Sequence, residues 1–141
     1  SWRRAVLSLE EHHKAWLLWN YSENTRWEHQ EAITRWVWAE FQQQLSGARV
    51  AKKTVDRLRQ LIWLAAQDVK EQLAGRYTYQ YADLAALVGV TPKNWSETFT
   101  DRWIDMKRIF LRLDRDALMQ ATRSRSRQKA ANLDSSIAKL D

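Results

Sequence analysis

A chain of 141 residues with a single proline, Pro92, and three glycines, Gly47, Gly75 and Gly89, offers few places where a helix can be forced to stop. Proline removes a backbone donor and glycine relaxes φ, so these two residues punctuate most folds. Their scarcity predicts an all-α fold, a compact bundle of about five helices joined by short connections. Nine Trp residues, within a composition that is 45% hydrophobic, supply large flat side chains with which such helices interlock. The length suits one domain with a single core, or a small domain plus an arm. We expect an N-terminal helical region over 1–75, a pair of short helices leading into a long C-terminal helix over 76–122, and a basic flexible tail over 123–141.

Several chemistries are disfavoured. With no cysteine there is no disulfide, thiolate metal site or cysteine nucleophile, which fits a reducing cytoplasm. His12 and His13 are adjacent, so their side chains leave a helix about 100° apart, and no acidic residue has the spacing that would complete a metal site. His29 reads as an ordinary helical residue. We expect no metal and no cofactor. There is no Gly-rich phosphate loop or nucleophile elbow, and Glu10–Glu11 and Asp114–Asp116 read as helix starts and surface charge rather than catalytic pairs, so the chain is not expected to be an enzyme. No signal peptide and no apolar run of membrane-spanning length is found. Because the chain begins at Ser1 rather than Met, the expectation is that a natural start was trimmed or lost.

Along the chain, Ser8 with Glu11 three residues later reads as a capping box that starts a first helix. The segment Ala15 to Tyr21 is apolar nearly all round and must be buried or used as an interface. Ser22 to Thr25 reads as a turn. A second helix is expected over Trp27 to Leu45, with Ile33, Val37, Phe41 and Leu45 on one face, Trp36 widening it and Trp38 well off it. A third, from Thr54 to Ala74, carries the cleanest stripe, Val55, Leu58, Ile62, Ala65, Val69 and Leu73, and is closed by Gly75. Trp63 lies off that stripe. Arg76 to Tyr81 reads as an extended lead-in, with Thr78 a candidate cap.

The stretch from Tyr81 to Thr100 organises the rest. Asp83 to Val88 can form a short helix with Leu84, Ala85 and Val88 on one face, and Gly89 supplies the left-handed residue that ends it. Val90 plugs the angle, Thr91 is a good N-cap, Pro92 suits the first helical position, and Trp95 falls where it can pack back. In Leu84, small Ala85, Val88, Gly89, Val90 and Trp95 this stretch resembles the helix-turn-helix family of DNA-binding modules over about twenty residues. The resemblance implies that the second helix lies in the DNA major groove. Thr98 stands where the family has an aliphatic residue, so Phe99 is expected to take over that packing. Beyond it, Phe99, Trp103, Met106, Phe110 and Leu113 continue a helical pattern to about Ala121, either unbroken from Pro92 or bent once near Thr100.

The net charge of +6 favours an acidic partner, nucleic acid first. On the DNA reading, Thr91, Lys93, Asn94, Ser96 and Glu97 are the candidate base contacts. Thr100, Arg102, Lys52, Lys53, Arg57, Arg123, Arg125, Arg127 and Lys129 are the candidate phosphate contacts. Glu97 and Asp101 work against DNA unless they find a cytosine amine or an Arg. Ile104, Ile109 and Leu111 could form a homodimer seam. In size and helical build alone, the chain resembles bacterial or phage-encoded transcription regulators. Among these are late-gene antiterminators that bind DNA and then RNA polymerase. The competing reading is a protein-interaction module in which the paired helices are scaffold and exposed Trp38, Trp63 and the Trp-rich first helix bind a partner.

Overall fold

The structure, a computed structural model, describes residues 1–22 and 26–138, and all secondary structure among them is helical. The elements are α1 (Trp2–Leu7), α2 (Glu11–Tyr21), α3 (Trp27–Leu45), α4 (Lys52–Leu73), α5 (Tyr81–Val88), α6 (Pro92–Asn94), a π-helical turn (Trp95–Phe99) and α7 (Thr100–Ala138). The all-α expectation is met. Residues 23–25, which hold most of the expected Ser22–Thr25 turn, lie outside the described residues. Among those described, no helix is long and apolar enough to cross a membrane.

The backbone groups into two units, Ser1–Ala32 with Leu113–Asp141, and Ile33–Arg112. In the first, Ala15, Trp16, Leu17 and Trp19 of α2 are buried, as are Ala5, Ala117 and Ala121. Asp114 is buried too, and both its donors are neutral. The Trp16 indole N–H donates to its Oδ1 at 2.9 Å and the Tyr21 hydroxyl at 2.7 Å. Burial of the phenol, then the neighbouring carboxylate, pushes the Tyr21 pKa well above its ordinary value.

The predicted capping box does not form. Ser8 has helical backbone angles and ends α1, its hydroxyl donating to the Ala5 carbonyl at 2.8 Å, and α2 begins at Glu11 after Glu10, which makes no side-chain cap. A serine hydroxyl serves either end of a helix, and the preceding helix, which has Ser1 as its own N-cap, claims this one.

In the second unit the α4 stripe is buried at Leu58, Leu61, Ile62, Ala65 and Val69. It faces a core that includes Ile33, Val37 and Phe41 of α3 and Trp103, Met106 and Phe110 of α7. Trp38, expected off the core, is only 9% exposed. Its ring lies 5.8 Å from Phe41 and carries the Arg59 guanidinium at 5.7 Å, so α3 buries an arc wider than one row of side chains. Trp36, by contrast, is half-buried. Ile109 is 1% exposed and cannot contribute to a dimer seam.

Two glycines stop helices by the same device. Gly89 has φ 73° and Gly75 φ 72°. The N–H groups of Gly89 and Val90 bond back to Ala86 and Ala85, and those of Gly75 and Arg76 to Gln72 and Glu71. Both are complete Schellman motifs, which satisfy carbonyls the helix leaves over.

Residues 123–138, expected as a flexible tail, continue α7 as helix. Loss of apolar periodicity reports loss of burial, not loss of helix. Arg, Gln, Lys and Ala, half of this segment, have good helical propensity, and no Gly or Pro interrupts it.

Candidate nucleic-acid interface

The segment from Tyr81 to Thr100 is positioned by buried groups on one side only. Leu84 and Ala85 are almost fully buried and Val88 is 7% exposed, so α5 turns one face inward. The Thr91 hydroxyl accepts the Asn94 N–H at 3.0 Å and Pro92 occupies the first turn, as the sequence predicts. Trp95, 1% exposed, is the anchor of the second segment. Its ring stacks on Phe99 at 5.6 Å and meets Tyr81 and Trp103 at 5.9 and 6.2 Å. Fully burying an aromatic of this size contributes on the order of 1.5–3 kcal/mol or more. Gln80, not Thr78, precedes α5 at its N-cap.

Just before Thr100, where the sequence left an unbroken helix and a single bend both open, the helix passes through the π-helical turn Trp95–Phe99. The Thr100 N–H reaches back five residues to the Trp95 carbonyl, and the Thr100 hydroxyl donates to the same oxygen at 3.2 Å. One extra residue in the turn rotates the helix face. That is why Thr98 is exposed and Phe99 buried, and it accounts for the polar residue at the place where an aliphatic one is expected. Thr98 has a different task. Its hydroxyl donates to the side-chain oxygen of the half-buried Asn94 at 2.9 Å.

Of the candidate base contacts, Thr91, Lys93, Ser96 and Glu97 are exposed. Trp95 and Phe99 are the buried residues of the stretch 91–100, so the segment is held by two aromatic side chains and is otherwise at least partly open to solvent. Thr100 and Arg102 are half-buried, and Asp101 is exposed beside them.

Lys52 and Lys53 are exposed in the first turn of α4, which has no acidic residue and no side-chain cap. The positive end of a helix dipole disfavours cations. Two lysines there, with uncapped N–H groups, form a place where an anion would be stabilised. Arg57, one turn further, is only half available. Its Nε donates to the Val88 carbonyl at 3.0 Å, linking α4 to the end of α5. Sequence reasoning grouped Arg57 with its basic neighbours and missed this role.

The remaining candidates, Arg123, Arg125, Arg127 and Lys129, belong to the first unit. Arg123, Arg127 and Lys129 are exposed on α7, but the Arg125 guanidinium lies over the Trp2 ring at 4.4 Å. In the same unit Glu10, His12 and His13 bring their ligand atoms within 4.8 Å of one another, with His12 Nε2 3.7 Å from Glu10 Oε2. The divergence of adjacent histidines is overcome by rotamer choice, since their rings come to 4.2 Å. Three such groups could hold a divalent cation, and that possibility was missed because the argument from the sequence stopped at Cβ.

A family described as phage antitermination protein Q matches residues 1–138. The chain belongs to that family. It is 66% identical over 141 residues to the antitermination protein Q of Enterobacteria phage 82, covering all of this chain. It spans 62% of that relative's length. No solved structure matches. The Q family match takes in both units, including the exposed helical end of α7.

Proposed function

We propose that this chain reads double-stranded DNA in a sequence-specific manner as part of a phage transcription antiterminator that also engages RNA polymerase. The name of the phage 82 relative supports the regulatory side of this reading. The observation that carries the DNA side is the segment after Gly89. Trp95 and Phe99 are locked inward, while Lys93, Ser96 and Glu97 stand in solvent. In this reading Pro92 to Thr100 enters the major groove. Lys93 and Ser96 reach base edges or phosphates, the Asn94 amide nitrogen donates, and Glu97 accepts from a cytosine amine. Lys52 and Lys53, with the α4 N-terminus, hold the phosphate backbone.

The experiment is selection from a random duplex pool. Enrichment of one motif, lost on Lys93→Ala/Ser96→Ala while circular dichroism is unchanged, supports the reading. Retention without a motif, or no retention at low salt, overturns sequence-specific recognition.

The protein-interaction reading is carried by a different surface from the one the sequence suggested. Trp16, Trp19 and Trp38 are buried and Trp63 is half-buried, whereas Trp2, Leu7, Tyr21 and Leu118 are each 42–52% exposed.

A further inference from the structure

The first unit contains an open groove of about 740 Å³. Its base includes Leu17 and Ala121, both nearly inaccessible, and its walls include Trp2, Leu7, Tyr21 and Leu118, four large apolar side chains that stand exposed. Such side chains scattered singly need no explanation, but four converging on one concave surface mark an interaction site. The charges around it have one sign. Arg3, Lys14 and Arg26 supply them, His29, its pKa lowered by burial, lines the groove as well, and no Asp or Glu does so among the described residues. Asp114, the buried carboxylate of this unit, is occupied by the Trp16 and Tyr21 hydrogen bonds.

We propose that this groove docks an amphipathic helix of a partner protein, its apolar face on Trp2, Leu7, Tyr21 and Leu118 and its acidic flank against Arg3 and Lys14. An apolar trough takes the i, i+3/i+4, i+7 side chains of a helix. The cationic rim selects an acidic flank and repels a basic one. A nucleic acid is a poorer fit, because the walls offer apolar carbon where phosphates need donors. A small polar ligand is also a poorer fit, because few donors or acceptors converge on the base. The surface is built from α1, α2, the start of α3 and the middle of α7 and uses none of the residues proposed to read DNA, so it stands or falls separately from that function.

The test uses the full chain as bait for a displayed library of random peptides of about 20 residues, long enough for a helix to form on binding. Enriched peptides are then labelled and titrated by fluorescence anisotropy, and the bound surface is mapped by amide chemical shifts. The expected result is peptides of net negative charge with Leu, Ile or Phe at helical spacing, perturbing Trp2, Leu7, Tyr21 and Leu118. Affinity should fall at least about tenfold, roughly 1.4 kcal/mol, in Leu118→Asp and again in Arg3→Glu/Lys14→Glu. A peptide whose flanking acids are changed to Lys should bind the Arg3→Glu/Lys14→Glu chain better than the original one. The rim substitutions lie on exposed or half-buried positions, so they keep the test decisive if an apolar-wall variant fails to fold. No enrichment, enrichment of basic peptides, indifference to the rim reversal or shifts confined to another surface would each overturn the proposal. So would a self-association in sedimentation that Leu118→Asp abolishes, since the groove would then be occupied by a second copy.

Discussion

The Lys107 ammonium of α7 lies 2.7 Å from the carboxylate of Asp68 on α4, a side chain only 2% exposed. The other carboxylate oxygen accepts the Tyr79 N–H at 2.7 Å, immediately before α5 begins. One buried charge therefore joins α4, α7 and the lead-in to the proposed DNA-reading segment. Removing the cation leaves that charge uncompensated, which typically costs about 3–5 kcal/mol. Lys107→Met should lower stability by that order in urea unfolding. Asp68→Asn should cost less, because the amide oxygen still accepts from Tyr79 and Lys107, 19% exposed, can extend towards water. The double variant should recover most of the loss; simple addition of the two single costs would show that the pair is not coupled.

Gly89 ends α5 at φ 73°, and a Cβ placed there would meet nothing within 4 Å. The cost of Gly89→Ala is therefore conformational, about 1–2 kcal/mol, without a clash to relieve. Gly47 also has open space around it but no left-handed backbone. Gly47→Ala should be neutral or stabilise by up to about 1 kcal/mol through the unfolded chain. Equal destabilisation by the two substitutions, measured as urea midpoints, would remove the left-handed requirement from Gly89.

These two cases mark what the sequence could and could not disclose. Gly75, Gly89, Thr91 and Pro92 act through local backbone geometry, so their roles were legible from one residue and its neighbours. The same holds for the middle of the α4 stripe, Leu58, Ile62, Ala65 and Val69, but not for its ends, since Val55 is half-buried and Leu73 is exposed. Arg57 was not legible, because its partner, the Val88 carbonyl, is 31 positions away. Nor was Arg125, read as a phosphate contact although its guanidinium lies on Trp2 at the other end of the chain. Trp38 was misplaced because a single row of side chains underestimates a helix that is buried over a wider arc. The polar Thr98 was noticed, but the π-helical turn that explains it leaves no mark in residue type.

His29 gives the first unit a pH dependence. Burial, then the positive charge of Arg26, lowers its pKa below the ordinary 6.5, and its Nε2 is buried without a hydrogen-bond partner among the described residues. The unfolded chain then binds the proton more readily than the folded one. The stabilisation is complete above the unfolded value and is lost as pH falls through the lower folded value. Urea midpoints between about pH 5 and 8 should decline on the acid side, and His29→Gln should flatten that decline. Glu71, whose pKa the Arg76 hydrogen bonds hold below 4.5, acts in a separate window near and below that value. An acid limb unchanged by His29→Gln would assign the effect to other groups.

The salt dependence of DNA binding separates cations that face phosphate from cations already engaged. Each phosphate neutralised on duplex DNA adds about 0.9 to the slope of log affinity against log salt. Lys52→Ala/Lys53→Ala should therefore flatten the slope by about two and leave folding intact, since both side chains are exposed. Arg57→Ala should act mainly on stability. It removes a charged donor from the Val88 carbonyl, a bond typically worth about 1.5–3 kcal/mol, and loosens the end of α5. Arg125→Ala should cost about 1–2 kcal/mol of stability, the worth of a partly desolvated cation over an aromatic ring, with no change in slope. Arg123→Ala, by contrast, should flatten the slope if exposed α7 tracks the phosphates. A slope lowered equally by Arg125→Ala and Arg123→Ala would mean that Arg125 leaves Trp2 when DNA binds.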